Sequence, residues 1–282
     1  MNTLFAATYP PLLKAIPQSP ASLYIEGNEQ LLHSTCVSVV GSRKLASYAE
    51  HVLRILIPPL VQAGLTIVSG LAYGADALAH TIALQYGGRC IAVLGAGLER
   101  IYPSSHKPLA KRILESEGCL VSEYPATMDP LPYHFPQRNR IISGLSQVTV
   151  VVQAGEKSGT ISTCMHALEQ GRDICVVLGD ITREEFKGCY WLAKQGAHIV
   201  STPSDILQHF QVSLPGFMQM PLKPALTGTG ATLYDCILRG ITQGEKLQSQ
   251  TGLTSIQLQG ALSLLELDGY ITLQNNTWHV IS

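Results

Sequence analysis

Cationic side chains stand near the ends of short apolar segments of this chain, where they could bind an anion. Guanidinium and ammonium groups donate charge-assisted hydrogen bonds to phosphate or carboxylate oxygens. Glycines beside them let the backbone approach a ligand closely, and a helix N-terminus adds free N–H groups. Four cations have this placement: Arg43, Arg138, Arg140 and Lys157.

The charge of the whole chain offers no general attraction for an anion. Its 282 residues carry 19 Lys and Arg against 20 Asp and Glu, which is a formal net charge of −1. Any anionic partner must therefore meet a local patch. The composition, 46% hydrophobic and 14% charged, indicates a large buried core rather than a disordered chain.

The elements that must gather these cations alternate regularly. Between residues 36 and 208, short Val- and Ile-rich segments are separated by longer amphipathic ones, which is typical of a parallel sheet covered by helices on both faces. We therefore predict a doubly wound α/β domain, in which ligands bind beyond the carboxyl ends of the strands and the four cations converge on one rim. The predicted strands are CVSVV, LTIVS, CIAVL, CLVSE, VTVVV, DICVVL and AHIV.

Proline content and periodicity divide the rest of the chain. Residues 1–33 contain four prolines and are predicted to be an irregular lead-in to the α/β domain at 34–208. Residues 209–226 contain three prolines and are predicted to be a linker. Residues 227–282 show three helical segments followed by two short strands around Asn275 and Asn276, the order of a small winged-helix-like domain.

Catalytic signatures do not stand out. We find no nucleophile elbow, zinc-protease or Walker motif, and the histidines lack metal-ligand spacing, so we assign no catalytic residue, metal or cofactor. Asp76 and His80 share a helix face, where a structural hydrogen bond is favoured over catalysis. Taken singly, Gly41 is better explained by a tight turn, and Ser158 is well suited to a helix cap.

The cysteines and the chain's hydropathy indicate a cytoplasmic protein with no membrane partner. Seven cysteines occur without a C-x-x-C pair, several of them within apolar segments, as expected of reduced thiols in the cytosol. The apolar stretch at 55–75 is interrupted by prolines and glycines, so it is not expected to span a membrane. We see no secretory signal in MNTLFAATYPPLLKAIPQ.

The α/β domain contains a series of distinctive motifs. In addition to the block FPQRNRIISGLS, they are VVGSR, IVSGLAYGADALAH, VLGAGLERIYP, SEYP, SQVTVVVQAGEKSGT, ALEQGRDICVVLG and KQGAHIVSTPSDIL. Taken in order, these motifs closely resemble those of the DprA/Smf family of DNA-processing proteins. The resemblance covers about residues 30–208, and FPQRNRIISGLS is its most specific part.

The resemblance implies both a fold and a function. It implies an extended Rossmann-like fold that binds single-stranded DNA, protects the incoming strand, and helps to load the RecA recombinase during natural transformation and homologous recombination. It also implies a homodimer with no known catalytic activity. The C-terminal segment resembles the winged-helix-type domain found at the end of many members.

The resemblance also assigns DNA-contacting positions. Arg43 matches the family's principal DNA-contacting arginine, and Lys107 aligns less securely with a basic position. Three aromatic residues, Phe135, Tyr124 and Tyr133, are predicted to lie near the cationic rim, where they could stack on bases. A role in the core is the simpler alternative for each of them. Together with Phe135 as a candidate for stacking, the predicted DNA-binding residues are Gly41, Ser42, Arg43, Lys107, Phe135, Arg138, Asn139, Arg140, Lys157, Ser158, Gly159 and Thr160.

Two departures and one alternative qualify this assignment. Cys164 stands where the family usually has alanine, and DITREEF after Gly179 replaces a loop rich in glycine, proline and asparagine. The alternative is a nucleotide-binding enzyme similar to phosphoribohydrolases, which hold a phosphate on a loop resembling SGT. Such enzymes add a catalytic glutamate on the following helix, but Glu169 falls near the end of that helix.

The C-terminal segment has little cationic surface for a DNA phosphate. Within 227–282, Arg239 and Lys246 stand against four acids, so the charge is 2 − 4 = −2. The second helix of a helix-turn-helix would be SIQLQGALSLLELD, which lacks Lys and Arg. Its leucines recur at helical spacing, as core residues do. We therefore expect this domain to dock protein rather than DNA.

Overall fold

A nine-stranded mixed sheet runs through the first of the chain's two units, Met1–Ser213, and the second unit is Leu214–Ser282. The computed structural model describes residues 2–210, 228–238, 240–267, 270–274 and 277–280. The strands of the first unit are β1 (Asn2–Phe5), β2 (Ser22–Gly27), β3 (Cys36–Val40), β4 (Thr66–Ser69), β5 (Cys90–Leu94), β6 (Cys119–Ser122), β7 (Val148–Val151), β8 (Asp173–Val176) and β9 (His198–Ile199).

Helices connect most of these strands. No helix in the described ranges has the length and apolar character that crossing a membrane requires. The α-helices of the first unit are α1 (Pro11–Lys14), α2 (Ser47–Gln62), α3 (Ala75–Gln85), α4 (Lys107–Glu115), α5 (His134–Gly144), α6 (Gly159–Glu169), α7 (Lys187–Lys194) and α8 (Pro203–Leu207).

The strand order has a switch point between β3 and β7. The order across the sheet is β1-β2-β6-β5-β4-β3-β7-β8-β9. The last seven strands in this order, β3 to β9, are all parallel to one another. The chain leaves β3 towards β6 and later returns to β7 on the other side of β3, where Val40 is in register with Val151. This arrangement confirms the doubly wound α/β prediction and opens a crevice beyond these two strand ends.

The predicted strands match the observed ones because their side chains are buried on both faces. Every residue of β3, β4, β5, β6 and β7 is buried, so the β-branched side chains pack against helices on either side. Buried Ser38 on β3 donates a hydrogen bond from its hydroxyl to the carbonyl of Ile142 at 2.8 Å, which fixes the C-terminal end of α5 against the sheet.

Part of the segment expected to be irregular belongs to the sheet. Within 1–33, β2 pairs antiparallel with β6, and β1 pairs antiparallel with β2. The prolines that suggested an irregular lead-in lie between these strands, around α1, where they remove no ladder hydrogen bond. The predicted linker, apart from His209 and Phe210, lies outside the described residues.

The cysteines are free thiols, and all but partly exposed Cys236 are buried. Burial raises the pKa of Cys36 and Cys189 to about 11, and that of Cys119, Cys164 and Cys175 to about 12. These thiols therefore stay protonated near neutral pH and act as small core side chains.

The second unit has the element order that the sequence predicts. Its helices and strands are α9 (Gly228–Leu238), α10 (Gly244–Thr251), α11 (Ser255–Leu267), β10 (Ile271–Gln274) and β11 (Thr277–Val280). The strands form an antiparallel hairpin, with Asn275 and Asn276 outside the described residues. Leu258, Leu262 and Leu265 of α11 are buried in this unit's own core, as their helical spacing indicates.

His80 on α3 is a fully buried imidazole that makes no side-chain hydrogen bond. Burial is the main reason that its pKa is lowered to about 3, and the positive charges of Arg138 and His106 lower it further. The folded protein therefore holds this imidazole neutral over a pH range in which an unfolded chain, with a pKa of about 6.5, protonates it.

We expect this imidazole to make the protein sensitive to acid. Because the pKa is depressed in the folded state, stability is fully present above pH ~6.5 and is lost as pH falls towards 3. The loss approaches about 1.4 kcal/mol per pH unit. Denaturant unfolding between pH 7 and 4.5 should show that His80→Leu is less acid-sensitive than the parent. Exposed His51→Leu should behave like the parent, and an unchanged pH slope in His80→Leu contradicts the assignment.

Candidate functional site

A cavity of about 630 Å³ lies at the switch point. Three segments supply most of its wall: residues 40–43 after β3, residues 135–142 of α5, and residues 158–163 at the start of α6. Asp76 and Tyr102 also line it. The cavity brings together these predicted site residues: Gly41, Ser42, Arg43, Phe135, Arg138, Asn139, Ser158, Gly159 and Thr160.

The loop that carries Arg43 is held by a buried glutamine. Gln153 follows β7 and is 1% exposed. Its backbone carbonyl accepts a hydrogen bond from the Ser42 N–H at 2.9 Å. Its side-chain Oε1 accepts from the Ala46 N–H at 2.8 Å, and its Nε2 donates to the Lys44 carbonyl at 3.1 Å. The backbone on both sides of Arg43 is therefore fixed, while the Arg43 side chain stays exposed.

A glycine in the loop between β4 and α3 packs directly against the loop that carries Arg43. Gly74 has φ +73°, and a Cβ placed there would lie 2.3 Å from the Ser42 carbonyl oxygen. The first helical N–H of α3, from Ala75, donates to that same carbonyl at 3.1 Å. Both the left-handed backbone and the close approach require glycine at this position.

Arg43 lies beside an aromatic pair at the cavity mouth. The Arg43 Cζ is 5.6 Å from the centroid of the Phe135 ring, within cation–π range. The Tyr102 ring, 48% exposed, lies 5.6 Å from the Phe135 ring on a tilted plane. Gly95 leaves the space for Phe135, because a Cβ there would lie 2.9 Å from the ring. The mouth thus presents one cation and two aromatic rings together.

Arg138 is buried, and its guanidinium group donates hydrogen bonds to backbone carbonyls. It is 4% exposed, and its Nη1 donates to the carbonyl of Gly70 at 2.7 Å and to the carbonyl of Val93. Burial lowers the pKa of Arg138 to about 10, Asp76 opposes that shift and Arg43 adds to it, so the group stays charged at neutral pH. A Cβ at Gly70 would lie 2.5 Å from the guanidinium, which therefore rests directly on the backbone.

Arg140 faces a different hollow. Its two Nη atoms donate to the Glu123 carboxylate at 2.8 and 2.6 Å, and its Nε donates to the carbonyl of Gln18 at 2.9 Å. This bidentate pair lies in a second hollow of about 480 Å³. Residues two apart on a helix point about 200° apart, so Arg138 and Arg140 cannot serve one surface. The expectation that four cations converge on one rim is therefore wrong for Arg140. Arg138 lines the cavity, but it is buried at the base of the cavity rather than exposed on the rim.

The start of α6 forms the opposite wall of the cavity. Ser158 caps this helix, with its Oγ accepting from the Thr160 N–H at 3.2 Å. A Cβ at Gly159 would meet no atom within 4 Å, so the helix start is open on that side. Asn139 from α5 donates to the Gly159 carbonyl at 3.5 Å. The positive end of the α6 dipole therefore faces the cavity.

Two further predicted cations stay exposed outside the cavity lining. Lys157 directly precedes the Ser158 cap, and Lys107 begins α4. Of the predicted stacking residues, Tyr124 lines the second hollow and stacks on His134 with centroids 3.8 Å apart. Tyr133 is 59% exposed and meets His134 edge-on. Only Phe135 of these three aromatic residues lines the main cavity.

Asp76 has the structural role that the sequence favours. It is 7% exposed, and its Oδ2 accepts from the N–H groups of Gly70 at 3.1 Å and Ala72 at 3.3 Å. Burial raises its pKa, while the Arg138 charge and these hydrogen bonds lower it. The predicted hydrogen bond near a helix start is thus present at Asp76, and His80 takes no part in it.

Several residues that build the site are not predicted from the sequence. Gln153 has one signal in the sequence, a polar side chain directly after the predicted strand VTVVV. Tyr102 lies within the motif VLGAGLERIYP, which assigns it no role. Glu123 falls at the end of a predicted strand, but only the structure shows its pairing with Arg140.

Comparison with known proteins gives a consistent result. The family model described as DNA recombination-mediator protein A matches residues 1–211. Protein Smf of Escherichia coli is 47% identical over 206 residues, which are 73% of this chain but 55% of that protein's length. DNA processing protein DprA of Streptococcus pneumoniae is 40% identical over 203 residues, 72% of this chain and 71% of that protein.

Two solved structures share the fold. DNA processing protein A from Streptococcus pneumoniae superposes with a TM-score of 0.71 and 37% identity, covering 76% of this chain and 75% of that one. The Helicobacter pylori protein, described for its single-stranded DNA binding mode, gives a TM-score of 0.67 at 26% identity. It covers 74% of this chain and 95% of that one.

The buried guanidinium gives a stability prediction. Replacing Arg138 with Met keeps the apolar stem but leaves two buried carbonyls without their donor, so we expect the free energy of unfolding to fall by at least about 2 kcal/mol. Arg100→Met is the matched control, because Arg100 forms an exposed ion pair with Asp129, and it should cost less than about 1 kcal/mol. Urea unfolding measures both. Equal costs for the two variants would show that Arg138 does not anchor the site.

Proposed function

The chain belongs to the DNA recombination-mediator protein A family, and on that premise we propose that it binds single-stranded DNA at the cavity beyond β3 and β7. The Helicobacter pylori relative is described as a single-stranded DNA binder. The observation that carries the proposal is the cavity mouth, where exposed Arg43 lies against Phe135 and beside Tyr102. That pairing offers a phosphate contact and a stacking surface within one nucleotide's reach.

The proposed contacts are divided between direct and supporting residues. Arg43 is the principal phosphate contact, the open start of α6 accepts a second phosphate, and Lys157 and Lys107 extend the path. Gly41, Ser42 and Asn139 shape the protein surface along this proposed phosphate path. Arg138 and Arg140 act by positioning α5, because their guanidinium groups are already engaged with carbonyl and carboxylate oxygens.

Single strands fit this surface better than duplexes. Stacking on Phe135 or Tyr102 needs unpaired bases, and neither stacking nor phosphate contacts carry much sequence information. We accordingly propose a preference for single strands with little dependence on base identity.

Family membership supports a proposal for the cellular role. We propose that the protein protects single-stranded DNA taken up during natural transformation and helps to load the RecA recombinase on it, acting as a homodimer. The match spans 55% of the length of the Escherichia coli relative, so this role rests on the shared domain.

The alternative of a phosphoribohydrolase-like enzyme has less support in the geometry. Glu169, the candidate catalytic acid, is the last residue of α6, whereas Ser158 and Thr160 at its other end line the cavity. An 11-residue helix separates the two ends by about 15 Å, too far for both to act on one nucleotide. The carboxylate that does line the cavity, Asp76, is engaged by two backbone N–H groups.

The salt dependence of binding tests the assignment. Three exposed cations at about −0.7 per contact predict a log-log salt slope near −2, whereas four convergent cations would give about −3. Arg43→Ala should weaken binding of a mixed-sequence single strand by at least tenfold and flatten the slope by about 0.7. Fluorescence anisotropy over a range of salt concentrations measures both quantities.

Arg54→Ala is the matched control for this experiment. Arg54 is an exposed arginine on α2 outside the cavity lining, so its removal changes the net charge equally. It should alter affinity less than threefold. If the two variants bind alike, Arg43 is not the principal contact.

A further inference from the structure

Three potential metal ligands converge at the β9 edge of the sheet. Asp173 begins β8 and His198 begins β9, on adjacent parallel strands. His209 lies in the short 3-10 helix Gln208–Phe210 that follows α8. Among the residues that the structure describes, one ligand atom from each of these three side chains lies within 4.8 Å of the other two.

His209 is held in place but incompletely satisfied. Its side chain is 10% exposed, and its Nδ1 lies 2.9 Å from Asp173 Oδ2. The His198 ring lies 4.6 Å from the His209 ring, edge to face. Nδ1 is therefore the His209 nitrogen that faces this cluster, whereas Nε2 is buried without a hydrogen-bond partner.

We propose that Asp173, His198 and His209 form a binding site for a divalent transition-metal ion of the zinc type. Two imidazole nitrogens and one carboxylate oxygen suit zinc, cobalt or nickel better than magnesium or calcium, which prefer oxygen ligands alone. Three protein ligands leave a fourth position for water, so the ion would exchange more readily than in a closed four-ligand site.

The geometry needs only a small adjustment. Bonds of about 2.0–2.1 Å in a tetrahedral site place ligand atoms about 3.3–3.4 Å apart. The Asp173 and His209 atoms at 2.9 Å would separate slightly, and the widest pair, within 4.8 Å, would close by up to about 1.5 Å. Asp173 and His198 are exposed, while His209, with its side chain 10% exposed, is the most enclosed of the three ligands.

An ion at this position would join three segments that are distant in sequence. β9 is the last strand of the sheet order, and His209 is next to the last described residue of the first unit. Coordination would hold the end of this unit against the sheet edge. Because the ligands meet only in the folded chain, binding should raise thermal stability.

Equilibrium dialysis of the full chain against zinc, after treatment with chelator and its removal, tests the proposal. We expect one zinc ion per chain, with His198→Ala and Asp173→Asn each weakening binding at least tenfold. Both residues are exposed, so these variants should fold even if His209→Ala does not. His51→Ala, which removes an exposed histidine on α2, should keep the parent's affinity and stoichiometry.

Cobalt substitution identifies the ligand type. Nitrogen and oxygen ligation gives visible d–d bands without sulfur-to-cobalt charge transfer, and His198→Ala should lose these bands. Three outcomes would overturn the proposal: no zinc bound by the parent, unchanged binding in both variants, or a thiolate charge-transfer band that places the ion on cysteine. The first of these would leave His209 and Asp173 as a hydrogen-bonded pair only.

Discussion

The site depends on a buried guanidinium that is paired with carbonyl oxygens. Arg138 reaches from α5 beneath the cavity to the carbonyls of Gly70 and Val93, which belong to the loop after β4 and to β5. Gly70 has no side chain to obstruct that approach. Through this contact α5 is fixed over the strand ends, and Phe135, one helical turn earlier, is presented at the mouth beside Arg43. Removing the charge from solvent costs solvation energy that these hydrogen bonds offset.

A nearly neutral chain can therefore form a local anion site. The net charge is −1, yet Arg43 and the start of α6 line one crevice because the strand order reverses there. Buried Gln153 and left-handed Gly74 fix the backbone that carries Arg43. The cationic surface is small, so steering over long distances is weak and local contacts dominate.

The sequence predicts strands well and side-chain directions less well. It predicts all seven strands of the parallel sheet. Continuous Val and Ile segments indicate the strands that are buried on both faces, and the exposed edge strand β9 lies within the shorter predicted segment AHIV. It places the cations of Arg138-Asn139-Arg140 on one rim, although helical geometry alone separates the two arginines by about 200°. It misses β1 and β2 because the prolines between them obscure the pattern. Pairings such as Arg140 with Glu123 depend on tertiary contacts that no local pattern contains.

The central claim is that the cavity accepts a polynucleotide strand rather than a free nucleotide, and a thermal-shift titration tests it most directly. A short single-stranded oligonucleotide spans several phosphates and should raise the melting temperature progressively with concentration. Free mononucleotides at the same total nucleotide concentration should leave it unchanged. Stabilisation by the mononucleotide equal to that by the oligonucleotide, or none by either, would contradict this claim.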